Sequence, residues 1–180
     1  DLSELEAVIS EDSSWRQIRM TCDTENKELE ESFRYFVMEI QPHIQPYGDR
    51  LNRKLVECPY TSELDKREFF TYIRRVKKQI ELFRENNIPL QAELSVLAQQ
   101  YGMIAGKMTV TLDGKEYTLQ QAAKFLENPQ RNVREDAYRK IQERRLQDKD
   151  ALGDLYSQLI QRRHQVAVNA GFANYRDYKF

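Results

Sequence analysis

From about Val133 to Ala170 the chain is almost uninterrupted helix former, and this stretch constrains the fold more than any other feature. Val133, Ala137, Ile141, Leu152, Leu155, Leu159 and Val166 recur at helical spacing, with Arg, Glu, Lys and Gln between them. Ordinary globular helices run about 8–20 residues, so the stretch reads as one long helix serving as the spine of a helical body. Gly153 is its one weak point, at a cost of about 1 kcal/mol relative to Ala. Gly171 is a natural stop, because a residue past a helix end often needs positive φ. Asn174 then caps a further helix beginning Tyr175-Arg176-Asp177-Tyr178. That helix is only started when the sequence ends at Phe180, and the first residue is Asp1 rather than Met. The expectation is a polypeptide that continues.

The upstream pattern agrees. Leu2 to Ile9 reads as a helix. Asp23 and Thr24 offer caps to the stripe Leu29, Phe33, Phe36, Val37 and Ile40, which Pro42 and Pro46 should end or kink. Leu51 and Leu55 start another helix closed by Pro59. Thr61 or Ser62 can cap the next, with Phe69, Ile73, Val76, Ile80 and Phe83, until Asn86, Asn87 and Pro89 break it. A last stripe, Leu90, Leu94, Leu97 and Tyr101, loosens at Gly102 and Gly106. One β signal interrupts the helices. Met108 to Leu112 and Glu116 to Leu119 alternate about Asp113-Gly114, the pair that a type I′ hairpin turn needs. Thr118 and Gln121 form a capping-box pattern, so the second strand should run into a helix ending near Asn128-Pro129. The expected fold is mainly α: a single helical domain over residues 1–180, with long antiparallel helices and one β-hairpin near residues 108–119.

Composition narrows function by exclusion. With 180 residues, one domain is expected on a prior of about 150. Lys and Arg total 28 against 29 Asp and Glu, a net charge of −1, so no charge excess favours nucleic acid or an anionic membrane. The basic pairs Arg139-Lys140, Arg144-Arg145 and Arg162-Arg163 are interleaved with carboxylates, and Glu135 and Asp136 read as solvated ion-pair partners. No apolar run spans a membrane and no leader is visible. Cys22 and Cys58 fit no C-x-x-C spacing and read as reduced, buried thiols of a cytoplasmic protein. His43 and His164 are isolated, and neither belongs to the H-E-x-x-H helix that carries zinc in metallopeptidases. No phosphate loop, dinucleotide fingerprint or nucleophile elbow occurs. Gly102 and Gly106 therefore read as a place where a helix closely approaches another backbone.

Several segments nevertheless resemble a known family in order and number. They are Trp15 to Thr24, Leu51-Asn52-Arg53-Lys54-Leu55, Phe83 to Leu90, the hairpin with Thr118 to Ala123, Val133-Arg134-Glu135, Arg163 to Phe172, and Tyr175-Arg176-Asp177-Tyr178. Together they resemble the amino-terminal half of the oligoendopeptidase F family. The resemblance implies a thimet-oligopeptidase-like zinc metallopeptidase, two-lobed and mostly helical, whose deep channel admits short peptides. The metal-binding motif of that family lies downstream of the matched segments, so no catalytic or metal residue is carried over. It implies zinc in the full-length enzyme, none bound by this chain, and the carboxy-terminal catalytic portion as partner. The 180 residues alone are then expected to be inactive. An independent helical binding or scaffold module is the alternative that composition equally allows. If the chain borders a channel, the strand edge at Thr111 and the segment holding Tyr101, Gly102 and Gly106 are the candidates to line it. Strand edges hold extended peptides by main-chain hydrogen bonds, and small residues permit close approach. The competing reading is a hairpin that seals the domain's own core.

Overall fold

The computed structural model describes residues 2–180. It is helical, with one two-stranded antiparallel hairpin among the described residues. The first helix, α1 (Leu2–Cys22), runs well beyond the Leu2 to Ile9 stretch that pattern marks. Asn26 caps α2 (Lys27–Tyr35), its side chain accepting from the Glu28 and Leu29 amides. Asp23 and Thr24 instead form the turn before it.

Pro42 and Pro46 do not end this helix. A π turn over Phe36–Ile40 precedes α3 (Gln41–Glu57), and the Gln41 amide reaches back five residues to the Phe36 carbonyl. Pro42 stands at the second position of α3, directly after the wider turn, and the chain stays helical through it. Pro46 sits inside α3 and forfeits one backbone bond there. Chain bending is the usual answer to such a residue, so of the two outcomes expected for the prolines, an end or a kink, the end does not occur. The helix expected to restart at Leu51 is thus the second half of α3.

After a 3₁₀ turn (Pro59–Glu63), α4 (Lys66–Leu82) is capped by Asp65, whose carboxylate accepts from the Arg67 amide at 2.7 Å. Thr61 and Ser62, the expected caps, spend their hydroxyl protons on the Leu55 and Pro59 carbonyls. Next comes α5 (Asn87–Gly106), which takes Pro89 into its first turn. The hairpin pairs β1 (Thr109–Leu112) with β2 (Lys115–Thr118) in the register Leu112 opposite Lys115. Asp113 and Gly114 hold φ of 51° and 72°, as a type I′ turn requires. The Thr118/Gln121 capping box opens the short α6 (Leu119–Ala122), and a 3₁₀ turn (Ala123–Glu127) follows.

The long spine is two helices, α7 (Arg131–Gln147) and α8 (Lys149–Asn169). The break falls at Asp148, with φ −100° and ψ 12°, and not at Gly153. Arg144 holds the Asp148 carboxylate at that corner. A short polar side chain bonded to the preceding turn can leave the helical ladder more cheaply than glycine suggests. At the far end Gly171 has φ 89°, the Phe172 amide bonds the Ala167 carbonyl, and the Gly171 amide bonds Val168. This is a Schellman stop. Asn174 caps α9 (Tyr175–Lys179) through the Asp177 amide.

Two apolar clusters hold these elements. Met20, Phe33, Val37 and Ala92 join α1, α2, the π turn and α5. Val110 and Leu112 from one face of β1 pack with Ala122, Ala137 and Ile141, and Tyr117 meets Phe125 edge to face at 5.1 Å. Burying a side chain such as Leu112 or Ile141 contributes roughly 2 kcal/mol. Where the start of α5 meets the end of α8 the contact is polar. Asn87, 1% exposed, donates to the Val166 carbonyl at 3.0 Å and accepts from Asn169 at 2.8 Å. No helix of the described residues is long and apolar enough to cross a membrane.

Candidate functional site

A cleft of about 410 Å³ separates α1 from α5, with the π turn behind it. Its walls carry Ser13, Gln17 and Thr21 from α1 and Ser95, Gln99 and Gly102 from α5. Phe33 and Val37 give it an apolar back, and Gln41 adds a second free-standing amide. No charged side chain lines it. Thr21 and Ser95 direct their hydroxyl protons at carbonyls of their own helices, 2.9 and 3.0 Å away. Gln99, only 7% exposed, spends its amide on the Met103 sulfur at 3.9 Å, a weak bond. The arrangement can hydrogen-bond an uncharged polar ligand, and it contains no nucleophile paired with a base.

The four channel candidates do not meet. Gly102 lines the cleft. Gly106 lies one turn on, against the α1–α2 turn, where an added Cβ would come 3.2 Å from Thr24 Oγ1. The close approach anticipated for both glycines therefore holds at Gly106 alone, since a Cβ at Gly102 would meet nothing within 4 Å. Tyr101, 58% exposed, is outside the cleft wall. Thr111 is on the outer face of β1, opposite the buried Val110 and Leu112, so that strand seals a core of its own. The cleft itself escaped sequence reasoning. Its Gln and Ser residues sit one at a time on separate helices and form no local motif.

The histidines, charged pairs and cysteines lie outside the cleft. His43 Nδ1 is 2.6 Å from the Glu39 carbonyl of its own helix, and His164 is exposed on α8. Arg139 pairs with Glu135 and Lys140 with Asp136, both at 2.8 Å on exposed faces. Cys22 is exposed and Cys58 half-buried, against the expectation that both are buried, because each ends its helix rather than facing the core. Among the described residues no three His, Cys, Asp or Glu side chains are gathered where they could hold a metal ion.

Residues 1–83 match the family described as Peptidase M3 N-terminal domain. No curated protein sequence matches the chain. Among solved structures, one named oligoendopeptidase F from Bacillus anthracis shares the fold with a TM-score of 0.82, at 21% identity over 92% of this chain. A second structure of that name, solved at 3.1 Å, gives 0.85 at 22% identity over 92%. PZ peptidase A, solved with an inhibitor, gives 0.83 at 21% over 91%. The chain spans only 31%, 29% and 29% of those three chains. Its first 83 residues thus match the Peptidase M3 N-terminal domain, and nearly its whole length has the fold seen within oligoendopeptidase F structures.

Proposed function

We propose that the chain is the non-catalytic amino-terminal lobe of a zinc-dependent oligopeptidase that hydrolyses short peptides in a deep channel. The observation that carries this reading is the fold shared across 92% of the chain with structures three times its length. The family match over residues 1–83 supports it from sequence. On this reading the H-E-x-x-H helix and the zinc reside in the remainder of the polypeptide, in a cytoplasmic enzyme. Hydrolysis of this kind needs a metal-bound water, three ligands and a general base. The lobe's own contribution is shape. Its uncharged cleft between α1 and α5, with Gly102 on the wall, offers amides and hydroxyls to a peptide main chain without selecting side-chain charge. Tyr101, Gly106 and Thr111 contribute less, because they lie apart from it.

The test is hydrolysis of a quenched fluorescent oligopeptide in the presence of zinc. The 180-residue chain is expected to be inert, and a longer polypeptide that carries it to be active until a chelator is added. Chelator-sensitive turnover that copurifies with the 180-residue chain would overturn the assignment. In the active polypeptide, Gly102→Trp should raise KM with little change in kcat, since the indole fills space the substrate uses. An unchanged KM removes the cleft from the substrate path.

A further inference from the structure

We propose that the groove along α4 is a binding site for a fatty carboxylate, a saturated hydrocarbon chain ending in a single anionic group. This inference is independent of the peptidase reading. At about 540 Å³ the groove is larger than the α1–α5 cleft, and α4 forms most of its wall. Lys66, Phe69, Phe70, Ile73, Arg74 and Lys77 line it at steps of three, one, three, one and three residues, a single stripe of the helix. The middle of the stripe is apolar and its ends are cationic. Leu64, from the turn before α4, completes the floor. Phe70 is 61% exposed, a large apolar surface left to water.

The polar groups of the groove decide what it can hold. Thr61 and Ser62 have spent their hydroxyl protons on the Leu55 and Pro59 carbonyls, at 2.5 and 2.9 Å. Asp65 is occupied by the Arg67 amide. A peptide laid here would leave its carbonyls without neutral donors, a penalty for every buried amide. A hydrocarbon has no such need. Three cations against the one Asp65 carboxylate leave a surplus of positive charge. Lys66, Arg74 and Lys77 have no ion-pair partner among the described residues, whereas Lys78 on the neighbouring face is paired with Glu81 at 2.9 Å.

Arg74 and Lys77, three residues apart, are like charges on one face, and a carboxylate between them relieves their repulsion. Arg74 already lies over the Phe70 ring, 5.6 Å from its centroid, so the guanidinium is held at the apolar edge. The chain of the ligand then runs from this pair over Ile73 and Phe70 toward Leu64. The helix as a whole carries six cations and two carboxylates, in a protein whose net charge is −1. Attraction for an anion is therefore local to this element.

The experiment is titration of the isotope-labelled 180-residue chain with decanoate, followed by amide chemical shifts. Saturable binding at about millimolar or tighter is expected, with shifts concentrated in residues 61–77. Decyltrimethylammonium, with the same chain and the opposite charge, should bind at least about tenfold more weakly. The double variant Arg74→Gln, Lys77→Gln should lose about tenfold or more in decanoate affinity. Phe70→Ser should weaken both amphiphiles. All three side chains are exposed, so circular dichroism is expected to be unchanged. Shifts elsewhere, equal affinity for the two amphiphiles, or an unaltered double variant would each overturn the proposal. So would acetyl-Leu-Phe binding more tightly than decanoate, which would make the groove a peptide site.

Discussion

Replacing Asn87 tests whether the α5–α8 contact is locked by the polar pair at its end. Asn87 is 1% exposed and makes two bonds across the interface, to Val166 O and from Asn169 Nδ2. Each is worth about 1 kcal/mol net, and the void left by truncation adds to that. The orphaned partners limit the loss, however. The Val166 carbonyl keeps the Ala170 amide at 3.3 Å, and Asn169, only half-buried, can turn its freed Nδ2 to water. Asn87→Ala should therefore cost about 2–3 kcal/mol, less than a comparable pair left wholly unsatisfied. For a chain of this size that lowers Tm by roughly 4–12 °C. Asn87→Asp should cost more, since a carboxylate is buried against a carbonyl oxygen. Urea unfolding of both singles, of Asn169→Ala and of the Asn87→Ala, Asn169→Ala double gives the coupling, expected at about 0.5–1.5 kcal/mol. Additive losses, or an Asn87→Ala variant within about 0.5 kcal/mol of the parent, would refute the lock.

Gly114→Val places a β-branched residue at φ 72° and should cost about 1–2 kcal/mol, read by urea unfolding, with Gly114→Asn closer to neutral. Gly106→Ala brings a methyl to within 3.2 Å of Thr24 Oγ1, so it should destabilise by about 1 kcal/mol, and Thr24→Ala in the same chain should recover most of the loss. Burial first, and then the neighbouring Tyr175, raise the Tyr178 pKa above its usual value of 10.0. The folded state thus holds the phenolic proton more tightly than the unfolded one, so stability is complete below pH 10 and falls as pH rises further. Tyr178→Phe should flatten that alkaline slope in a chemical-denaturation series, and an unchanged slope would assign it elsewhere.

Signals confined to a few residues were legible. The Asp113-Gly114 turn, the Thr118/Gln121 box, the Gly171 stop and the Asn174 cap all appear where local chemistry puts them. Boundaries that depend on tertiary context were not. Pro42 stands as a terminator only if the turn before it is an ordinary α turn, and the π turn at Phe36–Ile40 removes that premise. Asp148 is an unremarkable residue in a helix-forming run until Arg144 reaches it. Asn26 was passed over for Asp23 and Thr24, and Asp65 for Thr61 and Ser62, because several neighbouring side chains offer equally good cap oxygens and only the backbone decides among them. Of the candidate channel residues, only Gly102 lies on the cleft, whose other walls come from α1 and the π turn, distant in sequence.

The π turn also sets the phase of everything after it. Each α-helical residue advances about 100° around the axis, so one residue more or less in that turn re-aims α3 by that angle. Upstream, Phe33 packs with Met20 of α1 and Ala92 of α5, while downstream Asn52 reaches Gln79 of α4. The two halves of one rod thereby serve two different neighbours, like the offset throws of a crankshaft. Shortening Phe36–Ile40 by a single residue would leave the helix intact and turn α4, with its basic groove, away from its present neighbours.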